Sequence, residues 1–190
     1  MEMTAWLLFL PQLPASPSSL RVLVWRRLRT AGALGLQHGV WVLPVAARHE
    51  QFFGDLLAEV RAQGGGGTIF VAQPLDPTLP TEIVARFQAE RAQDYAEFQG
   101  RCRDFLDEIA RETATGNLTF AELEENEQDL QKLVGWLERI MTRDFFGGEQ
   151  AERARRALAT CHQRFGAFAR AVYREAGLAP TDEPNTGGSS

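Results

Sequence analysis

The sequence is short of the residue types that usually announce chemistry. It has two cysteines, Cys102 and Cys161, far apart in the chain. That is neither a disulfide framework nor a zinc spacing, and it points to a reducing compartment. Lysine occurs once, at Lys132, so the basic charge is almost all arginine. No apolar run is long enough to span a bilayer. The opening AWLLFLPQLP is too short, and it lacks the basic n-region and cleavage site of a signal peptide. There is no P-loop, dinucleotide fingerprint, nucleophile elbow or HExxH. Catalysis therefore has no support in the residues, no cofactor is called for, and the expectation is a cytoplasmic, non-enzymatic binding protein.

What the chain does have is the material for a core. Its 190 residues are 44% hydrophobic and 24% charged, suited to one domain or two small ones. The end, PTDEPNTGGSS, has no apolar residue, and a disordered tail is expected over 179–190. The net charge of -5 is unevenly spread. Residues 1–80 carry six arginines against five acids, 81–148 eight basic residues against fifteen acids, and 149–177 six against three. An acidic middle and a basic third segment suit pairing across a helical hairpin.

Up to residue 80 the pattern alternates. Ala5–Leu10 and GVWVLP (39–44) read as buried strands, Leu34–Gln37 as a short edge strand, and TIFVAQP (68–74) as a further strand. Between them, Ser18 or Ser19 caps a helix that Gly32 ends near Ala31, and Glu50–Ala62 is amphipathic. The order β-α-β-β-α-β predicts a ferredoxin-like unit over 1–80 with two helices on one sheet face. From 81 to 178 the pattern is helical. Phe87, Tyr95, Phe98, Cys102, Phe105 and Ile109 form one stripe. A Thr119–Glu122 capping box opens a second helix to about Phe145, and Glu149–Ala176 makes a third. The predicted fold class is α+β, with the ferredoxin-like unit packed with a C-terminal three-helix antiparallel unit.

One stretch does not fit an acidic chain: SSLRVLVWRRLR, residues 18–29. At about 100° per residue, Leu20, Leu23, Val24, Leu28 and Ala31 share the core face. Val22, Trp25, Arg26 and Arg29 fall opposite, and Arg27 projects near the core stripe. A purely solvated face has no need of a valine and a tryptophan, and mixed Trp and Arg surfaces often dominate interfaces. Two readings stand: the helical unit covers Val22 and Trp25, or the face meets a second copy or a ligand. At the helix start, free N–H groups, the Ser18 and Ser19 hydroxyls and Arg21 would suit a small oxyanion, against plain capping.

The other candidates read as structure. Both cysteines lie on apolar stripes, where a buried thiol packs as a small hydrophobe. His162 follows Cys161 but points about 100° away. His38 and His49 flank GVWVLP without metal spacing, and Glu122, Glu124, Glu125, Glu127 and Asp129 make a solvated helix face.

In combination, LPxxPSSxRVxVWRRLR, GVWVLP, EQFFGDLLAEV, FAELEENEQDLQKL and RDFFG resemble the N-terminal domain of the chromate-resistance protein family ChrB, from about Trp6 to Tyr173. WRRLR followed by GVWV is also similar to the ferredoxin-like domain of the repressor family PaaX. The resemblance implies a cytoplasmic regulator of chromate efflux, with chromate or another oxyanion, a homodimer or a protein partner as its counterparts, and no membrane. Longer ChrB proteins carry a further C-terminal domain, and PaaX reads DNA through a separate winged helix that is not readable here. A structural dimerisation domain without its own ligand is the main alternative. A ferredoxin-like nucleic-acid enzyme would want a metal-binding acid at the end of the first strand, where Leu10, Pro11 and Gln12 stand.

The basic helix is too small for a phosphate track. With Arg21, Arg26 and Arg29 as the contacts, DNA binding should be weak and largely non-specific, with a salt slope of about -2.7. Mobility shifts on random and operator-like duplexes over a salt series check this, and tight sequence-selective binding at physiological salt would overturn it.

Overall fold

The computed structural model describes residues 5–178 apart from Pro17; the tail expected at 179–190 lies outside the described residues. The elements follow in the order β1 (Trp6–Gln12), α1 (Ser18–Thr30), β2 (Leu34–Gln37), β3 (Val40–Pro44), α2 (Ala47–Ala62), β4 (Gly66–Ala72), α3 (Leu79–Thr115), α4 (Phe120–Thr142) and α5 (Glu149–Glu175). They divide into two compact units. One is the chain up to Gln93 together with Arg139–Gly148, and the other is Asp94–Glu138 together with the chain from Glu149.

In the first unit the four strands form one antiparallel sheet in the order β2-β3-β1-β4, the ferredoxin-like arrangement. The pairing Leu7↔Leu43 and Phe9↔Trp41 sets one face. Leu7, Phe9 and Leu43 pack there on Leu20, Val24 and Leu28 of α1 and on Phe53, Leu56, Leu57 and Val60 of α2. The opposite face is covered too. Trp6, Leu34 and Val42 pack on Ile83 and Phe87 from the first turns of α3, with Phe145 and Phe146 beside them. Trp6 stacks on Phe87 with ring centroids 6.0 Å apart. Burial on both faces is why β1 reads as a continuous apolar run rather than an alternating one.

Local chemistry sets the element ends. Gly32 stops α1 with φ +78°, and the Gly32 and Ala33 amides donate to the Arg29 and Leu28 carbonyls, a Schellman closure. A Cβ at Gly32 would also lie 3.0 Å from the Arg143 carbonyl oxygen, so a side chain is barred twice. β1 runs on through Pro11 to Gln12, past the expected stop. Its β3 pairing ends at Phe9, and from Leu10 onward it is paired with β4 alone; a proline without an N–H is tolerated on such a one-sided stretch. The helix expected to reach Phe145 ends at Thr142 instead. There the Asp144 carboxylate accepts from the amides of Phe146 and Gly147 at 3.3 and 2.9 Å, which turns the chain out of the helix.

The second unit is helical. Tyr95, Phe98, Cys102, Phe105 and Ile109 of α3, Leu130, Leu133 and Leu137 of α4, and Ala151, Ala154, Cys161, Phe168 and Val172 of α5 are buried. Phe98 in the middle of α3 meets Trp136 and Glu112 near its C-terminal end meets Asn126, so α4 runs antiparallel to α3. Phe120 against Tyr173 sets α5 antiparallel to α4. The Glu122 amide donates to Thr119 Oγ1 at 3.2 Å, one half of the capping box. The Glu122 carboxylate accepts from Asn117 rather than returning to the cap.

Glu112 is buried beside Asn126, whose Nδ2 donates to its carboxylate at 2.6 Å. Burial pushes the Glu112 carboxyl above the ordinary range, opposed by the Asn126 hydrogen bond and assisted by Glu122 and Glu108 nearby. A raised carboxyl contributes stability below its unfolded pKa and loses it as pH rises through the folded value. Glu112→Gln should therefore raise the neutral-pH Tm by a few degrees, about 1 kcal/mol. The gap to the parent should close toward about pH 4, as thermal unfolding over a pH series will show.

Candidate functional site on the first helix

Leu20, Val24 and Leu28 recur every fourth residue and anchor α1 to the sheet. That anchoring turns the opposite side outward. Val22 and Trp25 are 46% and 55% exposed on that side. Between them and the next turn stands Arg26, which is exposed and makes no salt bridge among the described residues.

The remaining arginines are engaged. Arg29 reaches Glu90 of α3 at 2.7 Å, and Glu90 also meets the buried Arg91 at 3.3 Å. Arg27 does not tuck toward the core stripe; it runs along the surface to Glu59 of α2 at 3.0 Å. Arg21 folds back over the loop that follows β1 and donates to the Ala15 carbonyl at 2.9 Å. Ser18 and Ser19 are exposed at the helix start, and the first turn holds no acidic residue. The structure thus sorts the sequence-selected residues into a polar helix start (Ser18, Ser19 and Arg21) and an outward patch (Val22, Trp25 and Arg26). Arg29 is drawn off into an ion pair.

The chemistry open to this arrangement is recognition. A helix start with two hydroxyls and a guanidinium offers donors to an anion, and a tryptophan beside an arginine offers stacking and apolar area to a partner. His49 is occupied elsewhere. Its Nδ1 lies 2.7 Å from the Pro44 carbonyl, its Nε2 accepts from Arg48, and its ring packs edge-on to Phe145. Burial holds it neutral, below its ordinary pKa, with Arg48 adding to the depression. Among the described residues no three His, Cys, Asp or Glu side chains gather as a metal site, and no helix is long and apolar enough to cross a membrane.

Two features escaped the sequence reading. Cys102 and Cys161 face one another between α3 and α5, with Cys161 Sγ 3.7 Å from the Cys102 carbonyl. The neighbouring thiol and burial push the Cys102 thiol far above the ordinary range. The second is on β4, where TIFVAQP reads as a further strand and Phe70 and Val71 are exposed. Apolarity alone carries no signal of which strand lies at a sheet edge.

Comparison with known proteins places these residues in a family. The family model described as "Protein ChrB, N-terminal" matches residues 21–178. The chain is also similar to "Protein ChrB" of Cupriavidus metallidurans, 30% identical over 95 residues, a stretch that is 50% of this chain and 29% of that protein. The matched stretch is thus under a third of that relative's length.

The opposed thiols have a direct check. With both side chains buried, a bulky maleimide should label the native protein about a hundredfold or more slower than the denatured chain. Rapid native labelling of either cysteine would overturn their assignment to the core.

Proposed function

Because the chain belongs to the ChrB N-terminal family, and so to the proteins associated with chromate resistance, we propose that it is a cytoplasmic regulatory protein acting by binding, with α1 as its working surface. The observation that carries this reading is the outward side of α1, where Trp25 and Val22 are half-exposed beside Arg26, which is exposed and makes no salt bridge among the described residues. A basic, aromatic face held rigidly by Leu20, Val24 and Leu28 is a recognition surface already organised for its partner. Chromate is a small dianion. The start of α1 meets it with backbone N–H groups, the Ser18 and Ser19 hydroxyls and the Arg21 guanidinium, which donates to the Ala15 carbonyl.

On this reading, oxyanion and partner act on the same helix, one at its first turn and one at its middle. Anion binding that draws Arg21 off Ala15 would change the surface a protein partner meets, and a differential affinity for the two states is all a switch requires. Arg29 belongs to the scaffold, because its guanidinium is held by Glu90. That leaves Arg21 and Arg26 for phosphates, so DNA is reached through a partner rather than by this chain alone.

Calorimetric titration of chromate into the full chain tests the proposal, with sulfate in parallel. Saturable binding is expected, weakened about tenfold or more in a Ser19→Ala/Arg21→Ala variant by loss of charge-assisted hydrogen bonds, and unchanged in Trp25→Ala. In cells carrying a chromate-efflux reporter, Trp25→Ala/Arg26→Ala should abolish the chromate response while the protein stays folded. Absence of chromate binding by the parent chain would remove the oxyanion step. An intact reporter response in the Trp25/Arg26 variant would remove α1 as the partner surface.

A further inference from the structure

The two edges of the sheet are treated differently. β2 is four residues long, its register shifts between Gly35 and Gln37, and the Arg86 guanidinium donates to the Gly35 and Leu36 carbonyls at 2.6 and 3.3 Å. Shortness, irregularity and a charge on the edge all block further strand pairing. β4, on the other edge, is seven residues long, in unbroken register with β1, and without charge or proline from Gly64 to Gln73. Among the described residues it makes no hydrogen bond outside its ladder with β1. It also exposes two large apolar side chains, Phe70 at 52% and Val71 at 63%.

We infer that β4 is where two copies of this chain join, by antiparallel pairing of Thr68–Ala72 with the same residues of the second copy. The unpaired backbone specifies a strand as the occupant, and the side chains specify which. Phe70 lies opposite Leu8, on the sheet face that carries Trp6 and Val42, whereas Val71 lies opposite Leu7, on the face covered by α1 and α2. Covering both at once requires apolar residues on both faces of the incoming strand, in matching register. A twofold axis through Phe70 supplies them. Phe70 then faces its twin, and Ile69 faces Val71, each pair on one face because directly opposed residues in an antiparallel ladder point the same way. A neutral strand meets its own copy without opposing like charges. The isologous pairing also closes: the edges left over are the two copies of β2, each already blocked by Arg86. The assembly stops at two chains sharing one eight-stranded sheet. This inference is independent of the reading of α1, since no residue is common to the two surfaces.

Sedimentation velocity of the full chain over a concentration series tests it. The parent should be dimeric at micromolar concentration. Phe70→Glu, which sets two carboxylates face to face on the axis, should raise the dimer dissociation constant a hundredfold or more while the monomer keeps the parent's far-UV circular dichroism, because Phe70 is exposed in the single chain. Trp25→Ala should leave the dimer intact. A second variant fixes the register: mild oxidation of Phe70→Cys should give a covalent dimer, because directly opposed residues lie about 4.5–5.5 Å apart at Cα, within disulfide reach. Thr68→Cys, whose copies would be displaced from one another along the strands, should not crosslink. A parent monomeric throughout, a Phe70→Glu dimer of undiminished affinity, or crosslinking at residue 68 in preference to 70 would each overturn the inference.

Discussion

β1 is shielded from water on both sides, and the geometry of the first unit follows from that. Leu7 and Phe9 press on α1 and α2, while Trp6 packs on the first turns of α3 and the Phe145–Phe146 pair. A central strand sealed on both faces cannot slip by one residue without exchanging two apolar sets shaped for different neighbours. Its register fixes β3 and β4, these fix where α1 lies, and α1 has one way to bury Leu20, Val24 and Leu28. The exposure of Trp25 is thus a by-product of packing on the far side of the same helix. A surface obtained in this way is held by the core behind it.

The question posed by four arginines on one helix of an acidic chain is answered by where their charge goes. Arg29 and Arg27 are tied to Glu90 and Glu59, exposed or partly exposed pairs worth little in stability, about 1 kcal/mol or less each. These pairs offset two of the cations of α1, leaving Arg21 at the start and Arg26 at the middle. The surface is less basic than its sequence. Two separated cations do not make the continuous track that a polyanion needs.

Local signals were legible in the chain and distant ones were not. The Ser18 start and Gly32 stop of α1, the four-residue recurrence of its core face and the Thr119 cap of α4 are set by neighbours within a turn or two, so reading them requires no fold. Val22 and Trp25 were separable from the core stripe for the same reason. The capture of Arg29 by Glu90, 61 residues on, has no local correlate, nor does the meeting of Cys102 with Cys161. Phe145 shows the limit of periodicity. It continues the apolar pattern of α4, yet the Asp144 carboxylate accepts from the Phe146 and Gly147 amides and the turn brings the ring onto the sheet. The change to a purely helical pattern near residue 80 marks where element type changes. It says nothing of which side chains complete the sheet, since helix turns and a loop can serve as the second cover.

The Phe145–Phe146 pair also has a consequence for synthesis. Phe145 contributes to both cores of the first unit, and it is encoded some fifty residues after Gln93, where the N-terminal part of that unit ends. A nascent chain holding all four strands still exposes one face of its sheet until the ribosome has made α3, α4 and the loop beyond. The sheet is thus completed across a long loop closure, the kind of contact that slows folding and prolongs exposure of sticky intermediates. Production of this protein is set by the whole chain, and a fragment cut after β4 would leave Trp6 and Val42 facing water.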